Sequence, residues 1–146
     1  MTTTLVSKRL SGNNQPQLRV LAWRPVVVTA WRSGADFVKV FPCAQVGGDK
    51  YIKALNTSLP QIPLIAAGGV NQQTAVNFIL SGATALGIGT ELIPTEAIER
   101  RQSGRIRELA LRFTGFVKEA RERIEKARKQ NAAAQKYTET EKCESR

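Results

Sequence analysis

Ala35-Asp36-Phe37-Val38-Lys39-Val40-Phe41-Pro42 is a short apolar run with one lysine in its middle, set between Ser33-Gly34 and a proline. Phenylalanine and valine are strand formers, and a run of this length between turn signals reads as a buried strand of an α/β protein. Side chains alternate along a strand, so Phe37, Lys39 and Phe41 share one face and Val38 and Val40 the other. In a parallel sheet both faces are covered, which would leave the Lys39 amine between two aromatic rings with no obvious route to water. Desolvation penalises the charged form of a lysine, and an amine made neutral in this way attacks carbonyl carbon to form a Schiff base. The plainer alternative is a lysine near a strand end whose stem is covered while its amine reaches solvent.

Outward from this run, the bulk properties narrow the possibilities. With 146 residues, 42% of them hydrophobic, the chain is long enough for one domain with a core. It is shorter than a typical (β/α)8 barrel of about 250 residues. No apolar stretch approaches the roughly 20 residues of a membrane span, and Met1 to Lys8 lacks the apolar segment of a secretory signal. Cys43 and Cys143 are far apart and form no Cys-x-x-Cys pair, so a reducing cytoplasm is the expected compartment. The sequence has no histidine, the commonest metal ligand and the commonest general base, so neither a metal site nor a cofactor is expected. The net charge of +10 raises the question of nucleic acid. The bases between Arg100 and Lys129, however, are interleaved with Glu108, Glu119, Glu122 and Glu125, and aromatics for stacking are scarce there. That pattern reads as a solvated helix face with local pairs; neither nucleic acid nor membrane is expected as a partner.

Taken in order, residues 1–25 carry loop-like composition, including Ser11-Gly12-Asn13-Asn14-Gln15-Pro16, and are expected to be poorly ordered. Residues 26–130 form the patterned part, and 131–146 an exposed, frayed tail. Within the patterned part the spacing predicts a helix over Val26–Ser33 and then the strand around Lys39. A helix over Lys50–Leu59 follows, with Asp49 as its N-cap. The second strand is Pro63–Ala67, leading into a helix over Gln72–Leu80 capped by Asn71. The third is Ala85–Gly89, and a long helix is strongest over Ile106–Lys129. Strands alternating with helices mean a parallel sheet of βαβ units, of which three strands are convincing.

Sites in parallel α/β folds form at the carboxyl ends of the strands, and that rule brings Lys39, Gly68-Gly69 and Gly89-Thr90 onto one rim. Glycines let backbone N–H groups approach an anion, and the helices that follow add partial positive charge. Each glycine pair alone is explained as well by turn geometry. Together with the lysine they describe a site for a phosphorylated carbonyl compound.

Gly34-Ala-Asp-Phe-Val-Lys-Val-Phe-Pro42, with Leu64-Ile-Ala-Ala-Gly-Gly-Val-Asn71 and Leu86-Gly-Ile-Gly-Thr-Glu-Leu92, resembles the C-terminal half of 2-keto-3-deoxy-6-phosphogluconate aldolase and its relative 4-hydroxy-2-oxoglutarate aldolase. The likeness covers about residues 27 to 125. It implies an incomplete (β/α)8 TIM barrel, about the last three β/α units with a long C-terminal helix. It also implies a class I aldolase that releases pyruvate and an aldehyde, and a homotrimer. Carried over residue by residue, it makes Lys39 the Schiff-base lysine. Gly68, Gly69, Gly89 and Thr90 become the phosphate-binding residues, and Phe37, Phe41 and Pro42 the pocket lining. Ala67 stands where many members have threonine, and Cys43 where many have alanine. The family's first strands, which carry a proton-moving glutamate and a carboxylate-holding arginine, have no counterpart in the acid-free residues 1–25. The expectation is a truncated or frame-shifted product with family-like sequence from about Val27. Its turnover would be weak, because general acid–base assistance is worth about 10²–10⁴-fold. A catalytically inactive remnant acting as an interaction module is the alternative.

Overall fold

The computed structural model describes residues 18–21 and 24–144, and side chains over 25–135. Its centre is a four-stranded parallel sheet built from β1 (Leu18–Leu21), β2 (Phe37–Val40), β3 (Leu64–Ala67) and β4 (Ala85–Gly87), in spatial order β1-β2-β3-β4. The connections contain α1 (Arg24–Arg32), a 3-10 turn at Ala44–Val46 followed by α2 (Gly48–Ser58), and α3 (Ala75–Leu80). After β4 come the short α4 (Thr95–Glu99) and the 42-residue α5 (Ser103–Glu144), about 63 Å long at 1.5 Å per residue.

β1 is a strand that the sequence reading did not assign. It lies inside the segment expected to be poorly ordered and pairs with β2, Val20 opposite Lys39. Leu-Arg-Val-Leu has strand-forming character, but four residues after a polar stretch of sequence give no periodicity to read; the pairing that makes them a strand is supplied by β2. Residues 1–17 and 22–23 of that segment lie outside the described residues.

Sequential order without reversal, joined by crossovers of one hand, sends the helices to one face of the sheet. Val38 and Val40 of β2 and Leu64 and Ala66 of β3 are buried on that face. They share one core with Val27 and Ala30 of α1, Ile52 and Leu55 of α2, Ala75, Phe78 and Ile79 of α3, and Phe113 and Ala120 of α5. Phe37, Lys39 and Ile65, on the opposite face, are only half-buried.

Local chemistry accounts for some of the helix ends. Gly34 adopts φ 84° just past α1, as an αL terminator requires. Asp49 does not cap α2: Gly47 holds that position, and Asp49 lies in the first turn, where a carboxylate still complements the helix dipole. Asn71 closes the turn leading into α3 instead of capping the helix itself: its Oδ1 accepts from the N–H groups of Gln73 and Thr74 at 3.0 and 2.9 Å, while regular helix begins at Ala75 with Thr74 in the N-cap position.

The C-terminal segment is helical as far as Glu144. Residues 131–135 are exposed, as expected, but helix continues to Glu144, because Ala132, Ala133, Ala134 and Gln135 are good helix formers with no glycine or proline among them. Earlier in α5, Arg112 pairs with Glu108 at 2.7 Å and Arg123 with Glu119 at 2.5 Å, the local pairs the charge pattern implied. Arg121 ties the helix to the sheet by donating to the Thr84 carbonyl at 3.3 Å.

Candidate functional site

A cleft of about 540 Å³ opens at the carboxyl ends of β2, β3 and β4. Its walls include Lys39 and Phe41 from β2 and the residue beyond it, Ala67 to Asn71 after β3, and Gly87 to Glu91 after β4. Lys39, Gly68, Gly69, Gly89 and Thr90, distant in sequence, are thus brought to one cavity by the parallel register, in which Lys39 stands opposite Ile65 and Ile65 opposite Ala85.

Lys39 is half-buried rather than buried, and this corrects the expectation of an amine sealed between two rings. Its Nζ lies 5.4 Å from the centroid of Phe41, within cation–π range. Phe37, two residues earlier on the same face, is not part of the cleft wall. The cleft sits at the carboxyl end of β2, and Phe37 occupies the start of that strand. Pro42 is also outside the wall. It follows a cis Phe41-Pro42 peptide, and its Cα would stand 3.0 Å from a Cβ at Gly68. The amine therefore has one aromatic neighbour and an open side facing the cleft.

Backbone bonds set the shape of the rim. Beyond Pro42 the chain swings over the end of β3, Cys43 N–H donating to the Ala67 carbonyl at 2.8 Å and Ala44 N–H to the Gly68 carbonyl at 2.9 Å. Gly68 and Gly69 have φ of 79° and 86°, conformations that side-chain-bearing residues rarely adopt. A Cβ on Gly69 would also overlap the methyl of Ala44. Thr74 Oγ1 donates to the Gly69 carbonyl at 3.0 Å, fastening the loop to the start of α3. The turn explanation of this glycine pair therefore holds, and the same conformation leaves bare backbone at the cleft.

Gly89 differs. A Cβ there would meet nothing within 4 Å and its φ is unremarkable, so neither strain nor crowding calls for glycine. The turn beyond it is closed by Leu92 and Ile93 N–H groups donating to the Gly89 carbonyl, both at 2.9 Å. Gly87 is required by packing, since a Cβ there would stand 2.8 Å from the Ala67 Cβ and raise the cleft floor.

Sequence reasoning missed Ala67, Val70, Asn71, Gly87, Ile88 and Glu91 as cleft residues. For Glu91 the available signal was its place next to Thr90 in the same turn. Behind the rim, Cys43 is fully buried, its thiol 3.8 Å from the Gly48 carbonyl. Burial, helped by the nearby Asp49 carboxylate, pushes the thiol up to about 11 and keeps it neutral.

With this geometry in view, the likeness to known proteins is specific. The family model for KDPG and KHG aldolase matches residues 4–109, reaching further upstream than the stretch from Val27 that carries the motifs. The 2-dehydro-3-deoxy-6-phosphogalactonate aldolase of Escherichia coli K12 is 33% identical over 99 residues, which are 66% of this chain and 44% of that protein. A native KDPGal structure superposes with TM-score 0.64 at 29% identity, covering 73% of this chain and 50% of the other. A KDPG aldolase from Legionella pneumophila, holding pyruvate as a covalent carbinolamine, superposes with TM-score 0.60 at 26% identity, covering 66% and 47%. The chain thus spans about half the length of the relatives it matches.

Proposed function

The chain belongs to the KDPG and KHG aldolase family, and from that premise we propose that it carries the Schiff-base half of an aldolase site, with Lys39 as the nucleophile. The observation that supports this most is the cleft whose lining combines Lys39 with the Gly68-Gly69 and Gly89-Thr90 turns. The substrate is a 2-keto-3-deoxy-6-phosphogluconate-type compound or 4-hydroxy-2-oxoglutarate, its far end held by backbone donors of those turns.

In the reaction, Lys39 Nζ adds to the C2 ketone, and the carbinolamine loses water to give a protonated imine. The C3–C4 bond then breaks as its electrons move into the imine. The C4 hydroxyl loses its proton and the aldehyde leaves. The remaining enamine takes a proton at C3, and water hydrolyses the imine to pyruvate and free Lys39. The Legionella relative, with pyruvate held as a carbinolamine, supports the first step by analogy.

The architecture we propose is part of a (β/α)8 barrel. Four parallel strands in unreversed order lack the switch point at which doubly wound sheets bind ligands, and their helices share one face. Strand succession of this kind continues naturally around a barrel, with Lys39 facing its interior. By family likeness the assembly is a homotrimer, acting in a reducing cytoplasm. Turnover is weak wherever the proton-moving groups of the remaining strands are absent.

Treatment with pyruvate and borohydride tests the assignment. A stable adduct on Lys39, lost in Lys39→Arg, is expected; an unmodified chain would overturn the Schiff-base role. A second reading, a non-catalytic interaction module, is favoured by the half-buried sheet face carrying Phe37 and Ile65. Loss of anion binding together with concentration-dependent self-association would support it.

A further inference from the structure

Lys39 and Glu91 are the two charged side chains among the residues lining the cleft. They stand on opposite walls. Lys39 is on β2, and Glu91 lies in the turn beyond β4, the strand next but one in the sheet. Among the described residues no ion pair engages the Glu91 carboxylate, and no basic side chain besides Lys39 reaches the cavity. Once Lys39 is committed to an imine, the far wall presents backbone donors and the Thr90 hydroxyl together with one full negative charge.

From this arrangement we propose that Glu91 determines which far-end group the cleft accepts. Its carboxylate opposes a phosphoryl dianion beside the Gly89-Thr90 turn and so admits neutral, hydroxyl-terminated aldehydes and keto acids alongside phosphorylated ones. The proposal rests on the aldolase reading for the orientation of the substrate, with its ketone at Lys39 and its far end at the glycine turns. A carboxylate and a phosphoryl group held on the same wall of a partly solvated cleft repel one another, and salt screens the repulsion. Glu91 is exposed and outside the core, so its replacement leaves packing intact.

Inorganic phosphate is titrated by calorimetry into the full chain and its Glu91→Gln and Glu91→Asp variants at low and high salt, and each protein is also tested for pyruvate trapping by borohydride. The Gln variant is expected to bind phosphate about tenfold more tightly at low salt, a gap that narrows at high salt. The Asp variant is expected to stay near the parent. Equal affinities in the parent and the Gln variant, or no phosphate binding by either, would overturn the proposal. If the phosphate effect appears while trapping fails, the opposition of Glu91 to an anion in the cleft stands and the Lys39 assignment falls; trapping without the phosphate effect leaves Lys39 in place and overturns the role of Glu91.

Discussion

Lys39 Nζ rests 5.4 Å from the ring centroid of Phe41, two residues on along the same face of the sheet, and that ring is itself 49% exposed at the cleft mouth. The pair explains how an amine that is not sealed in the core can still be held in one direction: the ring's negative face orients it while the other side stays open to a substrate. Contacts of this kind are worth about 0.5–1 kcal/mol at exposed sites. Phe41→Ala is therefore expected to slow pyruvate trapping at Lys39 by roughly 2–5-fold, the rate equivalent of that energy, while thermal unfolding barely moves. Rates measured by mass spectrometry of the reduced adduct check this; an unchanged rate would remove the positioning role from the ring.

The two glycine turns are expected to respond differently to alanine. Gly69→Ala forces a positive φ and pushes into Ala44, which together should cost about 2–4 kcal/mol. Gly89→Ala meets open space and should stay within about 0.5 kcal/mol of the parent. Urea denaturation of both variants measures the contrast, and equal losses would show that the rim is built otherwise.

Along α5, Phe113 is 3% exposed and packs edge-to-face with Phe116 at 6.0 Å, whereas Leu111, two residues earlier, is 64% exposed. Phe113→Ala should destabilise by about 3–5 kcal/mol and Leu111→Ala by less than about 0.5. A comparable loss from both, read from melting curves, would mean that α5 docks through a different face.

Cys43 supplies a dependence on pH. In the unfolded chain its thiol ionises near 9.0, and in the folded one near 11, so folding holds the proton. The stability this contributes is complete below pH 9 and disappears as pH climbs from 9 toward 11, where the unfolded state alone has become a thiolate. Cys43→Ala should cost about 1–2 kcal/mol at neutral pH, for a small buried group removed. The variant should also show a shallower decline in stability between those two pH values. Parallel slopes for parent and variant would mean that the thiol does not feel its burial.

Much of the architecture was legible in the chain itself because it rests on local rules. The alternation of Phe37, Val38, Lys39 and Val40 assigned each side chain to a face, and Gly34 marked the end of α1 through a conformation that favours glycine. Parallel strand order followed from strands alternating with helices. The convergence of Lys39, Gly68, Gly69, Gly89 and Thr90 followed from the carboxyl-end rule alone. Other features depend on partners distant in sequence. Leu18–Leu21 is a strand because β2 offers it a ladder. The depth of Lys39 and the entry of Glu91 into the cleft depend on which groups cover or face them across β2 and β4. Periodicity specifies the direction in which a side chain leaves the backbone; how far it is shielded from water, and which charge confronts it, is decided by the packing of elements that meet only in the folded chain.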